Sequence, residues 1–534
     1  MSHESAGFYL REDVYFEPLI NQWYAWPYLL PPVTGARHMV HTHRRIMMSF
    51  VNNSRLHAMA VREPGMAGSD FLDCREDQVA EVRELVARID AQHQDLIALS
   101  EAVRALDELL RNHTSGESIE GLYAQVPEPL RGYVELFFDI NHHASFRLIE
   151  PLLYRSSYYK RSLQSVSFGL LDRVGGRPFV LSTPRFADAN HLQLNVHFTD
   201  PLLDRLFAAR ERPLSQSQVT SLFAGRETAG GLQPTELLTT QSPLAVHTPV
   251  GHGVRLQYLG HAGFLVETPN VAILIDPVIA SRGREYADQV ISFSELPPRI
   301  DYICLTHSHQ DHVNLETLLQ LRYKTRNVLV PKNNGGSLAD PSIRQLLREL
   351  GFQVFELDDL DMVPVLGGRI VAVPFLGEHG DLNIRSKTAW FVSLGEKGMF
   401  FGADSCNLDP TMYRHAGALL GPVHVLAIGM ECVGAPYTWL YGALNTQKIA
   451  KNVKNSRRLN GADAKQALEM VDILKPQRVC IYALGREPWY KYFVGLDYTD
   501  DSRQILESNR VVAACRQAGL EAETMYGRKT MEFV

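Results

Sequence analysis

Long apolar runs are missing from this sequence of 534 residues. No stretch approaches the eighteen or so consecutive apolar side chains that a membrane-spanning helix requires, so nothing points to a membrane. The segment Met1-Ser2-His3-Glu4-Ser5 has neither a basic n-region nor an apolar h-region, and no secretory leader is expected. Cysteine is scarce too. Cys74, Cys304, Cys406, Cys432, Cys480 and Cys515 stand apart, without the paired spacing of a disulfide framework or a zinc ribbon. A reducing, cytoplasmic setting is the expectation that follows. Neither a dinucleotide fingerprint nor a phosphate-binding loop occurs, so the chain brings no nicotinamide or nucleotide of its own. The formal charge of −7 and the lack of a Lys/Arg cluster speak against nucleic acid as a partner. No internal repeat or low-complexity tract is present.

What is present exceeds one ordinary core, and two domains are expected. Arg212-Pro213-Leu214-Ser215 and Ala229-Gly230-Gly231-Leu232-Gln233-Pro234 are polar and broken by Gly and Pro. They place a boundary in 211–250, dividing the chain into 1–245 and 246–534. In the first part, Val79, Val82, Leu85, Val86 and Ile89, then Leu96, Val103, Leu106 and Leu110, recur at helical spacing. This predicts one long helix or a helical hairpin over 76–112. Strands are expected at Phe179–Pro184 and Leu192–Phe198, giving a mixed α+β domain. Its histidine clusters (His38, His41 and His43; His142 and His143) lack a carboxylate in metal-ligand register and are read as packed or solvated. The aromatic run Tyr154–Tyr159 is read as packing. The second part alternates short apolar runs with helical patterns, which is α/β behaviour.

Chemistry concentrates in Thr306-His307-Ser308-His309-Gln310-Asp311-His312. The loop follows an apolar run, Tyr302–Leu305, that reads as a buried strand. Asn314 then reads as the N-cap of a helix carrying Leu315, Leu318, Leu319 and Leu321. A ligand-rich loop at a strand end converges on a cleft. His307 and His309 have the spacing to chelate one metal, and Asp311 and His312 to reach a second.

His-x-His-x-Asp-His is the signature of the metallo-β-lactamase superfamily, and the second part resembles that superfamily in order. Leu256–Val266 resembles its first hairpin strand. Ala272–Pro277 resembles the second, ending in Asp276. Phe400-Phe401-Gly402-Ala403-Asp404-Ser405 matches the strand-end aspartate that bridges two metals. The resemblance implies an αββα sandwich. Two positions depart from its hydrolases. Where these carry a third histidine, the sequence reads Gly377-Glu378-His379-Gly380-Asp381-Leu382, and either Glu378 or His379 fits. Neighbours on an extended segment point to opposite sides, so only one is expected to reach the metal. After the late strand Lys475–Gly485, Ala483 stands where hydrolases place a last histidine. With Glu378 bound, the set is three histidines and three carboxylates with vacancies, which suits iron better than hydrolytic zinc.

On these residues and on its length, the chain resembles the diiron β-hydroxylases of nonribosomal peptide synthesis, a family typified by chloramphenicol biosynthesis. The resemblance covers essentially the whole chain. It implies an oxygen-dependent monooxygenase that hydroxylates an aromatic aminoacyl group, p-aminophenylalanine in that pathway, as a thioester on a carrier domain. It also implies a homodimer, with the N-terminal domain in dimerisation and carrier docking. Two irons are the implied cofactor, dioxygen the co-substrate, and an external reductase the electron donor. His307, His309 and Glu378 then hold one iron, Asp311 and His312 the other, and Asp404 both. Asp276 is read as support for the ligand loop or as a plain turn carboxylate. His261 faces the site or satisfies its own turn. Glu431 lines the pocket after a further apolar strand. Tyr437, Trp439 and Tyr441 form an aromatic wall or pack in the core. The competing expectations are a binuclear zinc hydrolase acting on a lactone, phosphodiester or thioester through His379, and an inert scaffold stapled by metal.

Overall fold

Apolar residues on both faces of successive strands build the C-terminal half as two facing sheets. The computed structural model describes residues 7–63, 70–173, 176–495 and 497–534. The first sheet has seven strands in the order Val354–Leu357, Thr325–Pro331, Ile300–Cys304, Ala272–Ile275, Gly263–Glu267, Val254–Gly260 and Lys529–Phe533. The four from Ala272 to Leu357 are parallel, and the others pair antiparallel. The second sheet also has seven, in the order Met362–Val365, Gly368–Val373, Ala389–Leu394, Lys397–Phe401, Val425–Gly429, Arg478–Tyr482 and Glu521–Thr524.

Side-chain alternation sets the layers. Leu256, Tyr258, Ile273 and Ile275 meet Trp390, Val392, Phe401 and Tyr482 between the sheets. Leu265 and Leu274 face outward onto Leu315, Leu318 and Leu319 of the helix Leu315–Leu321. Helices Pro410–Leu420, Ala464–Leu474 and Arg503–Gln517 cover the far face of the second sheet. The result is the expected αββα sandwich. Because both faces of the central strands are buried, they read as continuous apolar runs instead of alternating ones.

The N-terminal half carries a five-stranded sheet, ordered Trp23–Tyr24, Val14–Ile20, Gln164–Leu170, His191–Leu194 and Thr228–Ala229. The periodic stretch 76–112 forms two helices, Val79–Gln92 and Gln94–Asn112, broken at His93 (φ −128°, ψ 34°). Val82, Leu85, Ile89, Leu96, Val103, Leu106 and Leu110 are buried as their spacing predicts, with Val79 and Val86 half-buried. His43 stacks on Trp23 at 3.9 Å, and His38 packs edge-on against Trp26. Burial draws His38 down to about 3, as the packed reading requires.

Three strand expectations need correction. Phe179–Pro184 is turn and loop, because prolines flank it and its amides bond outside any sheet, Val180 N–H to Tyr492 O at 2.9 Å. Of Leu192–Phe198, only the stretch to Leu194 is strand, within His191–Leu194. Leu256–Val266 is two strands joined by a tight turn at Gly260–Gly263, where Gly260 has φ 113° and an added Cβ would meet the Tyr490 hydroxyl at 2.5 Å.

The two halves share their cores. Phe16, Phe168 and Phe207 lie in one apolar cluster with Leu315 and Leu318. The N-terminal helices lie in another with Tyr437, Tyr441, Tyr490 and Tyr492. A buried ionic knot crosses the same seam. The Arg177 guanidinium donates to Glu17 at 2.8 Å and to Glu316 at 2.7 Å, and lies 3.4 Å over the Tyr492 ring. Arg185 donates to Glu17 at 2.6 Å. Burial opposes the charge on Glu17, but the two guanidiniums outweigh it and hold this carboxyl down at about 2. A fragment beginning near residue 245 would expose both cores and strip Glu316 of its cation. Such a fragment should be insoluble or lack cooperative unfolding by near-UV circular dichroism and calorimetry. A cooperatively folded fragment would show that the N-terminal half is dispensable for the sandwich.

Candidate metal centre

Strand ends of both sheets deliver the polar side chains to one end of the sandwich. Cys304 closes its strand, and the chain turns through Thr306–His312 before Asn314 caps the next helix, its side chain accepting from Thr317 N–H at 2.8 Å. Asp276 follows the neighbouring strand. Its carboxylate accepts from Thr306 N–H at 2.8 Å and Thr306 Oγ at 2.5 Å, and lies 2.7 Å from His312 Nδ1. Asp276 thus ties the ligand loop to its own strand and fixes His312 with Nε2 facing inward. Asp404 follows the strand Lys397–Phe401 of the second sheet, and an added Cβ on Gly429 would meet its Oδ1 at 2.4 Å.

Three groups of potential ligand atoms form, each within 4.8 Å: His307, His309 and Glu378; His307, His312 and Asp404; His261, Asp311 and His312. His309 Nδ1 lies 2.7 Å from Glu378 Oε1, and His312 Nε2 lies 3.1 Å from Asp404 Oδ2. His261 faces the site, with Nε2 3.0 Å from Asp311 Oδ2.

Only Glu378 of the two neighbours joins a ligand group, as expected, but not because the segment is extended. Glu378 (φ 54°) and His379 (φ 50°) are both left-handed, between Gly377 (φ 86°) and Gly380 (φ 57°). Such backbone is strained for side-chain-bearing residues and abolishes the opposite-face rule of extended chain. Both side chains therefore turn inward, and His379 Nε2 lies 2.9 Å from Glu378 Oε2. Close packing holds the loop: an added Cβ at Gly377 would meet Cys406 Cβ at 2.5 Å, and one at Gly380 would meet Tyr437 Cβ at 2.5 Å. Lys387 Nζ donates to Gly377 O at 2.9 Å.

Charge at the centre is unbalanced. Among the described residues, Asp311, Asp404 and Glu378 have histidines as their only ion-pair partners. Burial opposes charge on His312, but Asp404, Asp311 and Asp276 together raise its pKa well above the ordinary value. Burial likewise opposes charge on Glu378, and His309 and His379 outweigh it, holding the carboxyl well below the usual range. His307 Nε2, Asp404 Oδ1 and Glu378 Oε2 are buried without a hydrogen-bond partner. Orphaned donors of this kind beside buried, uncompensated carboxylates fit cations in the cluster. Nitrogen and carboxylate oxygen atoms in this ratio suit iron.

Some functional contacts had no sequence signal. Tyr441 Oη lies 2.9 Å from His309 Nε2 and 2.8 Å from His379 Nδ1. It is itself held from the N-terminal half. Arg37 donates to Ala443 O and Asn445 O, and Tyr28 packs edge-on against the Tyr441 ring while bonding Ser308 Oγ at 3.0 Å. Thr306 was legible only as the residue preceding the motif. Glu431 accepts from Tyr498 Oη at 3.1 Å, and burial, then Asp404 and Asp311, raise its pKa well above the carboxylate range. Tyr437 is buried against Arg457, whereas Trp439 is half-buried beside Phe179 at 6.1 Å.

Comparison with known proteins places this geometry among relatives. Residues 9–243 match the diiron non-heme beta-hydroxylase N-terminal domain, and residues 272–481 the beta-lactamase superfamily domain. The chain is 37% identical over 528 residues, 98% of its length and 99% of the other, to the 4-amino-L-phenylalanyl-(CmlP-peptidyl-carrier-protein) 3-hydroxylase of Streptomyces venezuelae. The crystal structure of CmlA, a diiron beta-hydroxylase from Streptomyces venezuelae, superposes with a TM-score of 0.90 at 36% identity, covering 99% of this chain and 100% of that one. A UPF0173 metal-dependent hydrolase of Brucella abortus is 34% identical over 195 residues, 35% of this chain and 74% of its own.

Removing the hydroxyl alone in Tyr441→Phe keeps the ring but frees His309 Nε2 and His379 Nδ1. Metal affinity, measured by chelator competition, should weaken on the order of ten-fold or more, as for other partners that orient ligand histidines. An unchanged affinity would mean that Tyr441 only packs.

Proposed function

The chain belongs to the family of diiron non-heme β-hydroxylases with a metallo-β-lactamase-fold domain, and from that premise we propose that it hydroxylates the β-carbon of an aromatic aminoacyl thioester on a carrier domain, in antibiotic biosynthesis. The acyl group proposed is p-aminophenylalanyl, after the substrate in the relative's name. Dioxygen is the co-substrate, with one oxygen atom entering the Cβ–H bond and the other leaving as water. A separate reductase is the proposed electron source, and a homodimer the proposed assembly.

His307, His309 and Glu378 would hold one iron, Asp311 and His312 the other, with Asp404 placed to serve both. Bound iron would supply the redox chemistry needed to break the benzylic Cβ–H bond. With His309 Nδ1 turned to the metal, its Nε2–H donates to Tyr441, and Tyr441 donates to His379 Nδ1. His379 Nε2, 2.9 Å from Glu378 Oε2 but outside hydrogen-bond geometry, would steady that carboxylate electrostatically from its side. His379 is thereby a positioning residue. The Asp311 side chain, 26% exposed against 5% or less for the three histidines, marks the open edge. Glu431 and Tyr498, hydrogen-bonded to each other, sit on that edge, where they would offer polar partners to an amino group of the substrate.

The observation that carries this reading is Glu378 at the third ligand position, 2.7 Å from His309 Nδ1. Ala483, at the late strand end (φ 55°), offers no replacement nitrogen. The zinc-hydrolase reading keeps one support, the partial likeness to a metal-dependent hydrolase. Metal content after purification without added metal separates them, two irons for the oxygenase and two zincs for the hydrolase.

Glu378→Ala should abolish oxygen-dependent turnover and lose one metal. His379→Ala should keep both metals with affinity reduced on the order of 10–100-fold. Glu378→His should favour zinc. Loss of metal in His379→Ala with retention in Glu378→Ala would reverse the assignment and bring the hydrolase forward.

Tethering also makes a prediction. Carrier and phosphopantetheine arm supply binding energy that the free amino acid lacks. Mass spectrometry after turnover should show one added oxygen atom on the carrier-bound acyl group and almost none on free p-aminophenylalanine. Equal rates for both forms would contradict the carrier-bound reading.

A further inference from the structure

The net charge of −7 conceals a local basic segment, an exception to the expected lack of a Lys/Arg cluster. Between Glu431 and Asp463 there is no acidic residue, yet Lys448, Lys451, Lys454, Arg457 and Arg458 fall within eleven positions. Lys448 and Lys451 are exposed, and the helix Lys451–Ser456 buries none of its residues. Among the described residues, only Lys454 has a carboxylate partner, Asp70 at 3.2 Å, and Asp70 also faces Arg45 at 3.5 Å. The positive surface therefore crosses onto the N-terminal half. Ile449, 37% exposed, supplies an apolar spot within it.

This segment is fastened to the metal centre. Arg457 Nε donates to Gly380 O at 2.6 Å, next to His379, and its guanidinium lies 4.6 Å over the Tyr437 ring. Arg458 Nε donates to Gly434 O at 2.7 Å, three residues past Glu431. Each arginine donates its Nε to backbone that frames the site, while Lys448 and Lys451 face solvent. A solvated basic face elsewhere would be unremarked, but here it borders the one centre that a tethered substrate must reach.

We infer that Lys448, Lys451 and Lys454 form the docking surface for an acidic carrier domain, whose phosphopantetheine phosphate adds a further negative charge. The inference rests on the carrier-bound reading above. Opposite charge at the rim acts chiefly on encounter and register, so its signature is in KM and salt dependence, not in the chemical step.

The test uses the full-length, iron-loaded enzyme with aminoacylated carrier. Lys448→Glu/Lys451→Glu should raise KM for the carrier on the order of ten-fold or more and flatten its dependence on salt. Its kcat at saturating carrier and its iron content should stay unchanged, which shows that the variant is folded. Lys448→Arg/Lys451→Arg should behave as wild type. An unchanged KM and salt slope in the charge-reversed variant would overturn the assignment. So would equal competition by duplex DNA, which would mark an unselective polyanion surface. If the wild-type enzyme adds no oxygen to the carrier-bound acyl group, the substrate reading falls instead, and the two failures are distinct.

Discussion

Three carboxylates and three histidines, gathered where two sheets end, carry more negative charge than the surrounding protein neutralises. Asp311, Asp404 and Glu378 have histidine partners only, and several of their donor atoms face no hydrogen. Left to itself, such a cluster would drift apart or take up protons. Much of the architecture around it holds it together. Asp276 and Thr306 brace the ligand loop, Tyr441 bridges two histidines, and strained glutamate and histidine residues are locked by close contacts at Gly377 and Gly380.

The N-terminal half belongs to that bracing. Tyr24 Oη donates to Glu316 at 3.0 Å, in the helix that follows the ligand loop, and Tyr28 bonds Ser308 between the loop's first two histidines. Arg37 grips the carbonyls just after Tyr441, and Arg177 clamps Glu316 from the side. These contacts are buried and charge-assisted where they matter most. They accompany the two apolar cores that the sandwich shares with the N-terminal half.

Left-handed backbone at Glu378 and His379 is strained for residues that carry side chains. It converts a sequence ambiguity into two distinct parts, one side chain in the ligand group and the other against its carboxylate. The same turn brings Gly380 O to Arg457, so the segment that carries the basic surface is hydrogen-bonded to the loop that carries Glu378. Outer surface and inner centre are one hydrogen bond apart.

The sequence by itself determined the ligand loop, because ligand spacing is a local pattern: His307, His309, Asp311 and His312 are legible from six positions of chain, and the resemblance they carry implied the sandwich. It also determined that 76–112 is helical, with burial following the spacing, but not that His93 divides the stretch into two helices. It misread Phe179–Pro184, where apolar content reflects packing against the other half and not a sheet. Tertiary structure alone decided the rest. Tyr441 lies 132 residues from His309, and no periodicity links them. His261 meets Asp311 only because its turn folds over the ligand loop. That Glu378 and His379 both turn inward, with Glu378 alone in a ligand group, depended on φ angles that glycine neighbours permit and packing enforces, and a one-dimensional pattern does not encode torsion.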